Sequence, residues 1–247
     1  MPLPEHQAEW AVAQYLDLET RLLNILSTIP YRPENYGAII PALASVVVDA
    51  GTLVDSVCRA VTQSGRTKQN ANITDFADDL EPLCRLSELH TMLYAYPPQM
   101  LTPFAAWRDS HHDERPSPGW WTAHNQLKHN RLAHLDGGTL QNAVGAACGV
   151  HQLLVSSADF FVPLMRHDML HTNMRTQPWV ASALLGSIEE CDAMVESKLF
   201  VTCVGLARFP STIEAIDPSR YVSKRGTRLE QFLANEVNWH LQRARKP

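Results

Sequence analysis

The 247-residue chain lacks most of the short signatures that name a chemistry. It has no glycine-rich phosphate loop, no G-x-S-x-G and no H-E-x-x-H. Its five cysteines (Cys58, Cys84, Cys148, Cys191, Cys203) are odd in number and far apart, with no C-x-x-C pair. That spacing indicates neither a zinc ribbon nor a disulfide framework, and buried, reduced thiols are the expectation. No apolar run reaches the ~20 residues of a clean membrane span. The stretch Ala38–Val48 is broken by Pro41, and Val144–Val162 by His151 and Asp159. The N-terminal residues include Glu5, His6, Glu9 and Trp10 instead of a basic segment leading into an apolar one. A soluble, cytoplasmic protein without a membrane is therefore expected. Charge is also modest, at 19% Asp, Glu, Lys and Arg with a net value of −5. The surface as a whole is no polyanion binder, so any such role must come from a local patch. No internal repeat and no low-complexity segment occurs.

What is present is helical periodicity. Residues 4–29 place Trp10, Ala13, Leu16, Leu22 or Leu23 and Leu26 near a 3.6 period. Residues 38–61 carry the strongest stripe: Ile39, Leu43, Val46, Val47, Ala50, Leu53, Val54, Val57 and Val61, with Pro41 tolerated in the first turn. Thr74 is placed to cap a helix through Leu80, which Pro82 would interrupt. Residues 91–96 have strand-like composition, as do 197–204. Helices are expected over 119–136, 139–164, 179–196 and 228–243. The predicted fold is mainly α, a helical bundle with at most a small β element. The expected division is a bundle domain over 1–165 and a mainly helical extension over 166–247 packed on it.

The segment Trp120 to His134 stands apart. Behind two tryptophans it holds His124, His129 and His134, the cations Lys128 and Arg131, and the carboxamides Asn125, Gln126 and Asn130, with no acid before Asp136. Pro118 before it and Gly137-Gly138 after it punctuate a helix. The Gly-Gly turn predicts an antiparallel hairpin with the next helix. In that hairpin Trp121, Asn125, Lys128 or His129, Leu132 and Leu135 would face inward. Asn125, His129 and His151 could then satisfy one another at the seam, with Asp49 the better placed acid and Asp55 pointing outward. Such a cluster serves either as a packing device or as a site. His111-His112-Asp113-Glu114, and the pair His167 and His171, have spacings that a metal could use, but a solvated loop and an ordinary helix face are the expectation. Neither a metal nor another cofactor is expected.

The string Pro118-Gly119-Trp120-Trp121-x-x-His124-Asn125-x-x-Lys128-His129-Asn130-Arg131, followed by an Ala-rich helix, resembles a motif of W-W-x-x-Y-N-x-x-K-H-x-R type in a group of uncharacterised prokaryotic helical proteins. Pro103-Phe104-x-x-Trp107 and the helix with Asp49, Asp55 and Cys58 extend the similarity over roughly residues 30–160. His124 stands where that motif has an aromatic. The group is similar to the HEPN superfamily, helical bundles of toxins, defence systems and RNA-processing factors that act as dimers. Active members cut RNA with an Arg and a His spaced R-x4–6-H. Arg85 to His90 and Arg166 to His171 meet that spacing by chance alone, and the basic helix itself does not have it.

The resemblance implies an RNA-binding protein or metal-independent ribonuclease, with His129, Arg131 and Asn125 in catalytic positions. Lys128, His124, His151, Trp121 and Asp49 would then bind substrate. RNA cleavage needs a base for the 2′-hydroxyl, an acid for the leaving oxygen and a cation at the phosphate. The alternative is a non-catalytic accessory or antitoxin-like subunit in which the polar helix is structural or docks a protein partner. A homodimer or a protein partner is expected under either.

Overall fold

The computed structural model describes residues 3–95, 97–108, 116–171 and 193–204. Helix α1 spans Glu5–Leu26 and α2 Pro41–Val61. Pro41 occupies the first turn of α2, where a missing N–H costs nothing. The stripe read from the sequence is the face that α2 buries, from Leu43 through Val57, with Ala44, Gly51 and Cys58 added. By length and composition α2 could cross a bilayer. Here it is the centre of the core, packed against α1 on one side and the helices α5 (Gly119–Asn130) and α6 (Leu140–Val155) on the other.

Helix α1 is rotated from the expected phase. It buries Ala8, Ala11, Val12, Tyr15, Leu18, Glu19, Leu22 and Ile25, whereas Trp10 is 57% exposed. The helix has apolar residues on two flanks. Glu19 is buried there because partners described below receive its carboxylate.

The short helix α3 (Gln63–Thr67) leads to α4 (Ile73–Cys84). Asn72, not Thr74, caps α4: its side chain accepts from the Thr74 and Asp75 amides, and Asp75 returns a bond to the Asn72 amide. Pro82 does not stop α4, which continues to Cys84 and ends at Arg85 in the left-handed region (φ 49°). The helix expected over 139–164 is broken. After α6, Ser156 and Ser157 lead into a turn, and α7 (Phe161–Arg166) starts afresh, the two segments meeting at 90°. Restarting there puts Pro163 in a first turn, where no carbonyl waits for its absent N–H.

The mainly helical expectation is corrected by a five-stranded antiparallel sheet. Its strands are β1 (Thr91–Leu93), β2 (Gln99–Leu101), β3 (Leu170–His171), β4 (Ala193–Glu196) and β5 (Phe200–Val204), in the order β2-β1-β5-β4-β3. Strand β5 pairs with β1, setting Thr91 opposite Thr202, and with β4 through the tight turn at Ser197–Leu199. Residues 193–196, expected at the end of a helix, are therefore strand. The strands are two to five residues long; β1 and β5 fall within the strand-like stretches 91–96 and 197–204, whereas β4, buried throughout, shows no alternation from which a strand could be read. The partner of β5, β1, lies about a hundred residues away in sequence, which local pattern cannot encode. The expected helix at 228–243, residues 179–192 and the loop at His111–Glu114 lie outside the described residues.

Three cysteines, Cys58, Cys84 and Cys148, are free thiols, but Cys203 is disulfide-bonded. The expectation of thiols throughout is corrected there, since sequence spacing says nothing of which cysteines meet in space.

Candidate functional site

The tryptophan helix, α5, lies wedged between α2 and α6, and this sets its inward face. Trp120, Trp121, Ala123, His124 and Leu127 are buried. The Trp120 indole lies across α6 at Gly149, where a Cβ would come within 2.9 Å of its ring, and donates through Nε1 to the Pro103 carbonyl at 3.0 Å. It stands edge-on to Phe104 and to Trp121. Thus Pro103-Phe104-x-x-Trp107 and the tandem tryptophans form one aromatic cluster. His124 fills a notch in α2 made by Gly51, with its ring tilted on Trp121 at a centroid distance of 5.1 Å. The carbonyls of Val47 and Val48 face it. Burial, and then the Lys128 cation, hold its pKa below the ordinary imidazole range.

The expected seam of Asn125, His129 and His151 is not formed. A phase shift of one residue, about 100° of helix, accounts for this: Asn125 is half-buried, His129 and Lys128 are exposed, and His124 is the imidazole that enters the core. Because α5 ends at Asn130, Leu132 and Leu135 do not continue an inward stripe and are 86% and 42% exposed. Asp49 also points elsewhere, pairing with Arg21 of α1 at 2.7 Å. Asp55 pairs with Arg59. Of the proposed substrate-binding residues, Trp121 and His124 are thus in contact, while Lys128, His151 and Asp49 face three different surroundings.

His151 lies fully buried on the flank of α6 that meets α1 and β5. Its Nδ1 is 3.1 Å from the Tyr15 hydroxyl, which is 3.2 Å from Glu19 Oε1 and 3.0 Å from Ser197 Oγ. Ser197 donates in turn to Glu19, whose carboxylate also receives the backbone amides of Lys198 at 3.2 Å and Leu199 at 2.8 Å. The carboxylate thereby holds the β4–β5 turn onto α1. Every proton in the chain is used if Nδ1–H donates to Tyr15 and Tyr15 donates to Glu19. His151 Nε2 then has no partner among the described residues. Burial pushes His151 down to about 3, and burial together with Glu19 raises Tyr15 well above the phenol range. A neutral imidazole, a neutral phenol and a carboxylate could pass a proton among themselves. All four side chains are buried. The arrangement fastens the turn. Sequence reasoning missed Tyr15, Glu19 and Ser197. The available signal was Glu19 at i+4 from Tyr15, inside a run of apolar positions on α1.

The exposed end of α5 has a different character. Lys128, His129 and Arg131 project to solvent, with His134 half-exposed beside them. Elsewhere the described cations are mostly paired: Arg21, Arg59, Lys68, Arg85 and Arg166 each meet a carboxylate. Among the described residues no carboxylate pairs with Lys128 or Arg131, and Arg131 makes only a long 3.5 Å contact to Ser45 Oγ. Lys128 and His129 also sit in the last turn of α5, where the helix dipole favours positive charge. The exposed apolar residues Leu132, Leu135 and Ile39 share this corner, Ile39 through a backbone bridge to Thr139.

No group of three or more His, Cys, Asp or Glu is arranged to hold a metal among the described residues. His167 meets Glu9 at 3.1 Å, and His171 meets Glu196 at 3.5 Å, so the two imidazoles do not converge. Comparison with protein-family profiles, with curated proteins and with solved structures finds no match.

Proposed function

We propose that this protein binds an anionic macromolecule, the backbone of single-stranded RNA, through Lys128, His129 and Arg131 at the end of α5. The observation that carries the reading is the exposed cationic charge there, which meets no carboxylate among the described residues, in a chain of net charge −5 where Arg21, Arg59, Lys68, Arg85 and Arg166 each pair with one. Lysine and arginine contacts to phosphate give affinity without sequence preference. The resemblance of the motif to RNA-processing proteins points the same way. The reading is one of binding. Cleavage would ask His129 to act as a base beside Arg131 and Asn125, and no described side chain hydrogen-bonds His129 to orient it.

The test is anisotropy of a labelled single-stranded RNA titrated over a range of salt. Each neutralised phosphate contributes about 0.7 to the slope of log affinity against log salt. Replacing both Lys128 and Arg131 with Gln should weaken binding at low salt and flatten that slope by about 1.4. His129→Ala should remove any cleavage while leaving binding largely intact. Binding that ignores salt, or a double variant that binds as tightly as the parent, would end this reading.

The second reading is a protein-interaction subunit, and the exposed Leu132 at 86% favours it. An exposed leucine next to Arg131 is the composition of a protein interface more than of a phosphate track. Under this reading Leu132→Ser abolishes capture of a partner, whereas RNA affinity does not depend on that residue.

A further inference from the structure

The exposed side of α1 and α2 carries a continuous groove. The two helices run antiparallel, since Arg21 near the end of α1 reaches Asp49 in the first half of α2, whereas Leu3 and Ala60 line the same cavity at the other end. One half of the groove, about 320 Å³, is apolar and floored by Leu53, Val57 and the buried Phe160. The other half, about 400 Å³, is lined by Gln14, Asp17, Arg21, Asp49 and Thr52. Trp10, Leu53 and Ser56 border both halves, so the two are one channel. From Leu3 to Arg21 it spans roughly 27 Å at 1.5 Å per helical residue. Trp10, at 57% exposure, forms its wall midway.

We propose that this groove receives an amphipathic helix of a protein partner, apolar at one end and bearing a Lys or Arg about two turns away. Three features select that occupant. The first is surface shape. Thr52, Ser56 and Ala60 recur at helical spacing on α2, and the Thr52 and Ser56 hydroxyls are turned back onto the carbonyls of Val48 and Thr52 at 2.8 Å. A small stripe with its donors already used lets another helix approach closely. The second is charge. Asp17 and Asp49 both converge on Arg21, at 3.1 and 2.7 Å, leaving one carboxylate in excess of the cations. A single added cation completes the network. The third is spacing: Trp10 and Asp17 lie seven residues apart on α1, or about 10 Å, which two turns of a docked helix would match. A second copy of this chain fits poorly. A two-fold axis along the groove sets carboxylates against carboxylates, and one across it sets the polar half against the apolar half.

A displayed library of helical peptides, panned on the full chain and in parallel on Trp10→Ser, tests the proposal. The expected enriched peptides have apolar residues at i and i+3 or i+4, with Lys or Arg near i+7 or i−7, and lose tenfold or more in affinity for Trp10→Ser. The Asp17→Asn/Asp49→Asn variant should bind such a peptide about tenfold more weakly at low salt. Changing the peptide's cation to Gln should then cost nothing further in that variant. Trp10 and both aspartates are solvent-accessible, and far-UV circular dichroism of the variants should match the parent. Enriched peptides without the cation, equal binding to Trp10→Ser, or no enrichment would overturn the proposal. So would sedimentation showing a dimer that Trp10→Ser dissociates, which would assign the groove to a second copy.

Discussion

Replacing Gly51 by alanine separates helix propensity from packing, because the two predict opposite signs. Gly51 lies in the interior of α2, where alanine is favoured over glycine by about 1 kcal/mol. A Cβ built at Gly51 would lie 2.2 Å from His124 Cγ and Nδ1 and 2.8 Å from His124 Cβ. Rotating the ring about Cβ–Cγ relieves only the Nδ1 contact, because Cγ and Cβ stay in place, so α5 must move or the imidazole must leave its notch. Overpacking of this kind costs about 1–3 kcal/mol. Losing the stack on Trp121 adds about 1 kcal/mol. Taking about 2 for the clash, adding about 1 for the stack and subtracting about 1 for propensity leaves a net loss of about 2 kcal/mol. Urea titration followed by far-UV circular dichroism should show a lower midpoint at unchanged slope. In a double-mutant cycle, the penalty of Gly51→Ala should turn into a gain of about 1 kcal/mol in a His124→Ala background, giving a coupling of about 3 kcal/mol. A Gly51→Ala variant more stable than the parent, or a cycle without coupling, would refute the placement of His124 against α2.

Three further outcomes follow from the described geometry. Burial lowers the folded pKa of His151 to about 3, against 6.5 when exposed, so between those values the unfolded chain binds a proton there that the folded chain does not. Stability should therefore fall as pH drops below about 6.5, by about 2 kcal/mol between about pH 7 and pH 5, and His124 shifts in the same direction. Urea midpoints across that range check this, and a flat profile would contradict a buried neutral His151. Tyr15→Phe removes the hydroxyl shared by His151, Glu19 and Ser197, and should cost about 2–4 kcal/mol in the same titration, since buried polar groups lose their partner. Trp120→Ala should cost about 3–5 kcal/mol, the range for a buried aromatic, and a loss under about 1 kcal/mol would place the ring outside the core.

The helices were legible where one side of the pattern was unambiguous. The α2 stripe from Leu43 to Val57 permits one buried face, and Pro41 and Gly137-Gly138 mark where the chain must turn, because sterics of those residues act locally. The motif around Trp120-Trp121 was also correctly recognised as a helix anchored by aromatics. Which side of it enters the core was decided by tertiary structure. Gly51 and Gly149 hollow out α2 and α6 at positions that accept His124 and Trp120, and nothing within residues 120–131 encodes those notches. The same holds for α1, where burying Glu19 is tolerable only because Ser197 and the amides of Lys198 and Leu199 arrive from some 180 residues away. Of the sheet, only the stretches holding β1 and β5 were legible, from their composition. The remaining strands, two to four residues long, have neither the length nor the alternation of a local signal. Their hydrogen bonds are made between segments distant in sequence. Composition, periodicity and turn chemistry thus determined where α1, α2, α5 and α6 lie, whereas several helix ends, helix phase, most of the sheet and the contacts of the buried polar groups depended on partners that only the folded chain brings together.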